Sequence, residues 1–311
     1  MAFRIKRGER VGKGVKRIVR QELRKAVRAA RDRQQPQEHR VHEVRTRLKR
    51  SRAALALIRR DAGGPVDRDE RRLRDAARLL SRPRDLAVQA HTFRLLGTRL
   101  QSELPPRLLS RLAAAERQLL RELRPDDVER DLKRAARVLR RVRRRLGSWS
   151  VERGRRAVSD GVARTYRKGR AALAAASRKP DPERFHDWRK QVKALSNELR
   201  IIIDALPELK TTLIPKIERL GELLGQVHDL DCAKATAQLH PRWFGRAEDV
   251  EAVLAAVDER RAALEVEALA LGETVFAGRP RDVRALVKVG WRSWRHSEHP
   301  PAEAPAPATI H

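Results

Sequence analysis

A block of fifteen residues occurs twice in the chain. "VHEVRTRLKRSRAAL" at 41–55 aligns with "FHDWRKQVKALSNEL" at 185–199, a spacing of 144 residues from position 41 to position 185. Each copy carries a histidine, an acid, an arginine and a lysine at matching positions: His42 with His186, Glu43 with Asp187, Arg45 with Arg189 and Lys49 with Lys193. A repeat of this kind requires one structural unit to be built twice, which narrows the choice of fold.

Two further blocks support the repeat. The same spacing aligns "LLSRPRDL" at 79–86 with "LLGQVHDL" at 223–230, and so pairs Asp85 with Asp229. "GVKRIVR", from residue 14, matches "GVARTYR", from residue 161, three residues out of step. Three blocks in the same order, with the length difference confined to a loop, predict two copies of one helical unit.

Apolar residues recur at helical spacing through most of the chain, and the sustained alternation typical of strands is nearly absent. An aromatic content of only 4% also favours helices over sheets. We therefore predict an all-α fold of two pseudo-twofold-related four-helix bundles with a basic central groove. The first repeat covers residues 1–150 and the second 151–296, and the Pro/Ala-rich segment 297–311 is predicted to be a disordered tail.

Prolines, glycines and aspartates predict where the helices end. The first two helices are expected over 9–33 and 37–60, and a third from an Asp67 N-cap to about residue 100, bent near Pro83. In the second repeat a helix should begin at Pro182 behind an Asp181 N-cap. The remaining helices are predicted to start near 103 and 124, to cover 155–178, to reach 239 after a break at 206–210, to cover 246–276 and to start again near 280.

Basic residues form a stripe beside the apolar face of each repeated helix. Residues at i, i+3, i+7 and i+10 lie on one side of a helix, and this spacing joins His42, Arg45, Lys49 and Arg52. Packing two such stripes across a shared groove would force like charges together, at a cost on the order of 1 kcal/mol or more per close pair. An anion that usually occupies the groove would offset this cost, and Asp85 and Asp229 could balance part of it. The competing interpretation is that each stripe is a solvated helix face.

The net charge of +31 attracts polyanions, so DNA, RNA, anionic lipid and polyphosphate are all candidate partners. Part of this excess is explained by an arginine-rich coding bias. The positions of the basic residues, and not their number, must therefore indicate whether there is a binding site. The single cysteine, Cys232, excludes a disulfide framework and a Cys-based metal site, and fits the reducing cytoplasm. We expect no secretory signal and no membrane association, since no apolar run approaches the roughly 18 residues of a membrane span.

An enzymatic interpretation starts from two His-Asp pairs, His186-Asp187 and His228-Asp229, with Asp231 nearby. Helical metal-dependent phosphohydrolases hold divalent ions with sets of this kind. However, the repeat places Arg84 opposite His228, and arginine cannot bind a metal. No Gly-rich phosphate loop or nucleophile pair occurs either. We therefore expect no catalysis, no metal and no cofactor.

"VHEVRTRLKRSRAAL", "FHDWRKQVKAL" and "LGELLGQVHDLDCA" resemble the signature blocks of the CHAD family, the conserved histidine α-helical domain, over about residues 9 to 290. The resemblance implies two pseudo-twofold-related four-helix bundles, a basic central groove that binds inorganic polyphosphate, association with polyphosphate granules, and no catalysis. Carried over by position, the polyphosphate-binding residues would be Arg17, Arg20, His42, Arg45, Lys49, Arg52, Arg164, Arg167, His186, Arg189, Lys190 and Lys193.

Two features depart from the family pattern. Ser196 stands where the first repeat has Arg52, so the second stripe lacks one charge unless Arg200 replaces it. Many members also carry a triphosphate-tunnel enzyme domain, which this sequence does not show, so no hydrolysis by that route is expected. If His42 and His186 contact phosphate, binding should strengthen as the pH falls through 6–7. The main alternative is weak, nonspecific nucleic-acid binding, which the net charge alone would support, although no nucleic-acid-binding motif is present.

Overall fold

The computed structural model of the protein describes residues 3–99, 101, 104–152 and 154–296. The predicted tail, 297–311, lies outside the described residues. Within them all regular secondary structure is helical, which confirms the all-α prediction.

The helices follow one another with short connections. In the first half these are α1 (Val11–Arg31), α2 (Gln37–Ala62), α3 (Gly64–Leu79), α4 (Ser81–Arg99), α5 (Pro106–Glu122) and α6 (Pro125–Arg145). In the second half they are α7 (Gly154–Arg178), α8 (Pro182–Ile201), α9 (Pro207–Thr211), α10 (Leu213–Leu239), α11 (Ala247–Val275) and α12 (Pro280–His296). Short 3-10 turns occupy Leu146–Ser148, Ile203–Ala205 and Pro241–Trp243.

Most predicted boundaries hold within a few residues, and the exceptions have physical reasons. The Asp181 N-cap is confirmed, because its carboxylate accepts a hydrogen bond from the Arg184 backbone N–H at 2.9 Å. The Asp67 N-cap is wrong: α3 begins behind Gly63, whose φ of 62° suits glycine. The bend expected near Pro83 is a full break three residues earlier, at Leu80, which places Pro83 in the first turn of α4, where its missing N–H costs no hydrogen bond.

One continuous apolar core runs through the described chain, from Ile5 to Trp294. In the first half α1 packs on α2 and α6, and α3 on α2 and α6; in the second half α7 packs on α8 and α12, and α8 on α10. Phe185 and Trp188, which flank the repeated histidine, are both fully buried. The core is not divided near residue 150, and the repeat, the pseudo-twofold and the boundary between 1–150 and 151–296 stay predictions.

The contacts between the halves determine where the basic stripes lie. Helix α2 contacts α8, and it also contacts α4, which in turn contacts α10. The two helices with the stripes, α2 and α8, are therefore neighbours, with α4 and α10 beside them.

Candidate anion-binding site

On α2, Arg45 reaches toward the α3–α4 junction. Its Nη1 donates to the Ala77 backbone oxygen at 2.8 Å and to Ser81 Oγ at 3.1 Å. Its buried Nε has no hydrogen-bond partner among the described residues. Lys49 lies one turn further along α2, and its side chain is still reached by solvent. Arg45 thus keeps a donor that no acceptor among the described residues satisfies.

On α8, Arg189 and Lys193 lie against two glycines of α10. A Cβ added at Gly221 would be 3.2 Å from Lys193 Nζ, and one added at Gly225 would be 3.9 Å from Arg189 Nε. The glycines therefore leave room for two long basic side chains between the helices. The Nε of Arg189 is buried and has no hydrogen-bond partner in the described part of the chain.

Arg84 on α4 lies at the centre of these charges, and sequence reasoning did not select it as a site residue. Its side chain is only 19% exposed and forms an ion pair with Asp85 at 3.1 Å. The charge of Arg84 acts on His42, Arg45, Lys49, His186, Arg189 and His228. The repeat alignment could have indicated that Arg84 belongs to the site, because it pairs Arg84 with His228. We call Arg45, Lys49, Arg84, Arg189 and Lys193 the cationic cluster.

Burial and mutual repulsion strain the charged forms of the cluster. Loss of hydration, followed by the charges of Arg189 and Arg84, lowers the pKa of Lys49 to about 8, although solvent still reaches part of the side chain. Burial also lowers the pKa of Lys193, with Arg189 adding to the effect. For Arg45 and Arg189 the main cause of a lowered pKa is again burial. A bound anion would relieve this repulsion.

Asp85 and Asp229 oppose the cluster arginines, and Glu218 and Glu222 act on Lys193. Asp85 pairs with Arg84. Burial raises the pKa of Asp229 while Arg189 and Arg84 oppose that rise, and its buried Oδ1 has no hydrogen-bond partner among the described residues. Both acids lie beside the cluster arginines, as the sequence analysis expected of the residues that balance part of the positive charge. Glu218 and Glu222 also pair with Arg200 and Arg219, so the cluster keeps an excess of positive charge.

The histidines of the site are poor cations in the free protein. The rings of His186 and His228 lie 4.4 Å apart, centre to centre, and 35° from parallel. Burial, then the charges of Arg189 and His186, lowers the pKa of His228 to about 3. Burial also lowers the pKa of His42 and of His186. Each ring of the free protein must gain its proton within a positive field, and the strengthening of binding expected at pH 6–7 stays a prediction.

Two arginines at the ends of the stripes are already paired. Arg52 forms an ion pair with Glu70 at 2.9 Å, and Arg200 forms one with Glu218 at 2.7 Å. Each pair joins residues 18 positions apart. Arg200 therefore repeats the ion pair of Arg52 one turn further along and does not supply a free charge. Lys190 is likewise paired, with Asp187 at 2.8 Å.

The four arginines predicted on α1 and α7 are not brought into the cationic cluster. Arg17 Nη2 donates to Glu9 Oε2 at 2.7 Å. Arg20, on the same helix, lines a depression beside Trp149. The charges that act on Arg164 come from Arg60, Glu198, Asp160 and Arg167, and none of these acts on the cluster.

The structure gives the metal interpretation no support. Among the described residues no group of three or more His, Cys, Asp or Glu side chains could hold a metal ion. Asp231 is engaged elsewhere, because its Oδ1 accepts a hydrogen bond from Arg261 Nε at 2.6 Å. In the same part of the chain no helix combines the length and apolar character needed to cross a bilayer.

A cavity of about 450 Å³ adjoins the cluster between α4, α10 and α11. Asp229 and His91 lie on its wall with apolar residues such as Leu96 and Leu264. The cluster cations do not line it. An extended polyanion binds along a row of hydrogen-bond donors and does not need an enclosed cavity. This space is therefore not part of the candidate site.

Comparisons with known proteins find a matching family profile and a crystal structure with a similar fold. The family profile described as the CHAD domain matches residues 14–238. The crystal structure of the CHAD domain from the plant Ricinus communis matches with a TM-score of 0.60 at 15% sequence identity, covering 97% of this chain and 95% of its own. At that identity the likeness concerns the fold. No curated protein matches the sequence.

Proposed function

The chain belongs to the CHAD family, and from this premise we propose that its cationic cluster binds inorganic polyphosphate without catalysing a reaction on it. The observation that carries the proposal is the excess of positive charge where the five cluster cations converge. Such a cluster is costly in the free protein and becomes favourable when an anion lies among its members.

The chemistry of the side chains suits this ligand. Polyphosphate is flexible, carries about one negative charge per phosphate and has no bases to be read. Arginine can grip phosphate oxygens in pairs through its planar fork, and lysine acts as a point charge. Arg45 and Arg189 would grip the chain from α2 and α8, Arg84 from α4 between them, and Lys49 and Lys193 would add charge. Binding should weaken steeply with salt because counterions are released.

A paired substitution separates a site from bulk charge. Arg45→Ala with Arg189→Ala removes two cluster arginines, and Arg121→Ala with Arg141→Ala removes two exposed arginines of α5 and α6. We expect the cluster variant to lose about 100-fold in affinity for long-chain polyphosphate in a calorimetric titration, since hydrogen bonds to charged groups contribute about 1.5 kcal/mol or more each. The control variant should change less than about threefold. Equal losses would mean that net charge alone attracts the ligand.

Competition and turnover measurements address the alternatives. If duplex DNA displaces polyphosphate at equal phosphate concentration, nonspecific nucleic-acid binding is the better description. Release of phosphate from polyphosphate with Mn²⁺ or Mg²⁺, abolished by His228→Ala, would support a phosphohydrolase instead. We propose that the protein acts in the cytoplasm on polyphosphate granules. A fluorescent fusion that is spread evenly in cells rich in granules would contradict this location.

A further inference from the structure

Arginines form two rows on the outer side of α1 and α6. Members of each row are three, four or seven residues apart, so they lie on one side of their helix. All but one of them are exposed, and the remaining one, Arg140, is partly buried. The rows, which we call the α1–α6 face, consist of Arg20, Arg24 and Arg31 on α1 and of Arg137, Arg140 and Arg144 on α6.

Contacts between the two helices bring the rows together. Helix α1 packs on α6. Near the end of α1, Arg31 lines a depression together with Arg137 and Arg140 of α6. Near its start, Lys16 Nζ donates to the Gly147 backbone oxygen, just after α6, at 3.4 Å. The helices therefore run in opposite directions, and the two rows border one shallow trough.

Carboxylates are nearly absent from this trough. None of the six arginines forms an ion pair with a carboxylate of the described residues. Glu129 lines the depression, but Arg40 holds it at 2.9 Å and Arg33 approaches it at 3.9 Å. Residues 132–151 contain no Asp or Glu, and the one acid of α1, Glu22, is buried. The charge of the α1–α6 face is therefore not balanced by the protein.

A coding bias toward arginine does not explain this face. On α3, Arg72 pairs with Asp69 at 2.7 Å and Arg74 pairs with Glu70 at 3.0 Å. The bias raises the number of arginines on both surfaces, but it does not remove the acids from one of them. Like charges on neighbouring turns repel each other, and a bound polyanion would replace this repulsion by attraction.

We propose that the α1–α6 face binds the phosphate backbone of double-stranded nucleic acid. The axes of packed helices lie about 8–10 Å apart, so the two rows can reach the two phosphate rows that border a minor groove about 6 Å wide. From Lys13 to Arg31, α1 extends for about 27 Å, the length of about eight base pairs. Arginine contacts phosphate oxygens in pairs and reads no sequence in doing so.

Other partners fit this face less well. Single strands are held largely by stacking of bases on aromatic side chains, and neither α1 nor α6 contains Phe, Trp or Tyr. A membrane surface would require large apolar residues beside the cations, and the exposed large apolar residues of the described chain lie on other helices. Polyphosphate is a single flexible chain and lacks the two rigid rows of charge that the helices match.

The experiment measures binding of the full chain to a fluorescent duplex of about 20 base pairs by anisotropy, over a range of salt concentrations. Arg24→Gln with Arg137→Gln removes one exposed arginine from each row, and Arg121→Gln with Arg292→Gln removes two exposed arginines of α5 and α12. We expect the face variant to lose about 30-fold in affinity at about 0.1 M salt, and its salt slope to fall by about two, because two phosphate contacts disappear. The control variant should lose less than about threefold.

Equal losses in the two variants would overturn the inference, because net charge alone would then attract the duplex. Arg45→Ala with Arg189→Ala should bind the duplex as the wild type does, and a loss there would place the duplex at the cationic cluster instead. Long-chain polyphosphate that displaces the duplex from this cluster variant at equal phosphate concentration would overturn the assignment to nucleic acid. So would phosphatidylserine vesicles that bind through Arg24 and Arg137 while the duplex does not.

The inference does not rest on the proposed function, because the cationic cluster lies on α2, α4 and α8. The face variant should bind polyphosphate as tightly as the wild type, and the duplex should leave polyphosphate bound. Loss of duplex selectivity with polyphosphate binding intact overturns this inference alone. A wild-type chain that binds the duplex at the face but does not bind polyphosphate contradicts the proposed function alone.

Discussion

The two repeated helices match in sequence but differ in what surrounds their basic residues. On α2, Arg45 is held by a backbone carbonyl and a serine, and Lys49 is open to solvent. On α8, Arg189 faces Asp229, and Lys193 packs on a glycine near two glutamates. The difference originates in α4 and α10, because α4 contributes Arg84 where α10 contributes His228. The positive charge is therefore concentrated on the α2–α4 side.

The largest effect expected of a single substitution tests that asymmetry directly. Arg84→Gln should weaken polyphosphate binding about 20-fold, because it removes the central charge and its hydrogen bonds. His228→Gln, at the matching position, should change the affinity less than about twofold at pH 7, where the ring is neutral. Isothermal titration calorimetry of both variants measures the difference. Similar losses would mean that the two sides contribute equally.

The two lysines provide a second contrast, in stability as well as affinity. Lys49→Met should weaken binding about fivefold and yet raise the melting temperature of the free protein by about 1–2 °C, because it relieves repulsion that solvent only partly screens. Lys193→Met should raise it less, since the variant also loses the attraction of nearby glutamates. Differential scanning calorimetry without ligand checks this. A lower melting temperature for Lys49→Met would show that the cluster carries no stored repulsion.

His228 and His42 should differ in how much each lowers the free energy of unfolding at acidic pH. The pKa of His228 is about 3 in the folded protein and near 6.5 in the unfolded chain, so the unfolded state takes up the proton first. The stability that this residue contributes above pH 6.5 should therefore fall as the pH drops toward 3, with about 2 kcal/mol lost by pH 5.

Denaturant unfolding at pH 7 and pH 5 measures that loss. His228→Gln should lose less stability than the wild type over this interval. His42→Gln serves as the control, because the His42 side chain is exposed and should contribute less. If both variants follow the wild type, acid sensitivity comes from other groups.

The smallest effect concerns the ends of the stripes. Arg52→Ala and Arg200→Ala should each weaken polyphosphate binding less than about twofold, because each arginine is already paired with a glutamate and both ion pairs are partly exposed. A tenfold loss for Arg52→Ala alone would show that polyphosphate displaces Glu70, and would extend the site along α2.

Much of the fold was predictable because helix signals are local. Pro182 behind Asp181 identified the start of α8 from neighbouring residues alone, and the i, i+3, i+7 spacing placed Arg45 and Lys49 on one edge of α2. The break at Leu80 was expected only as a bend three residues later, because Pro83 indicates an interruption of a helix but does not say that it begins a new first turn. The partners of Arg17 and Arg52 were also missed, since Glu9 and Glu70 approach them only after the chain has folded.

The sequence by itself determined the helical class, the repeated block and the side of each helix on which its cations lie, because these follow from spacing along the chain. The tertiary structure decided which cations meet. It brought Arg84 to the centre, tied Arg17, Arg52 and Arg200 to carboxylates, and lowered the pKa of Lys49 to about 8. Charge pairing and dehydration depend on which helices become neighbours, and residue spacing within one helix does not contain that information.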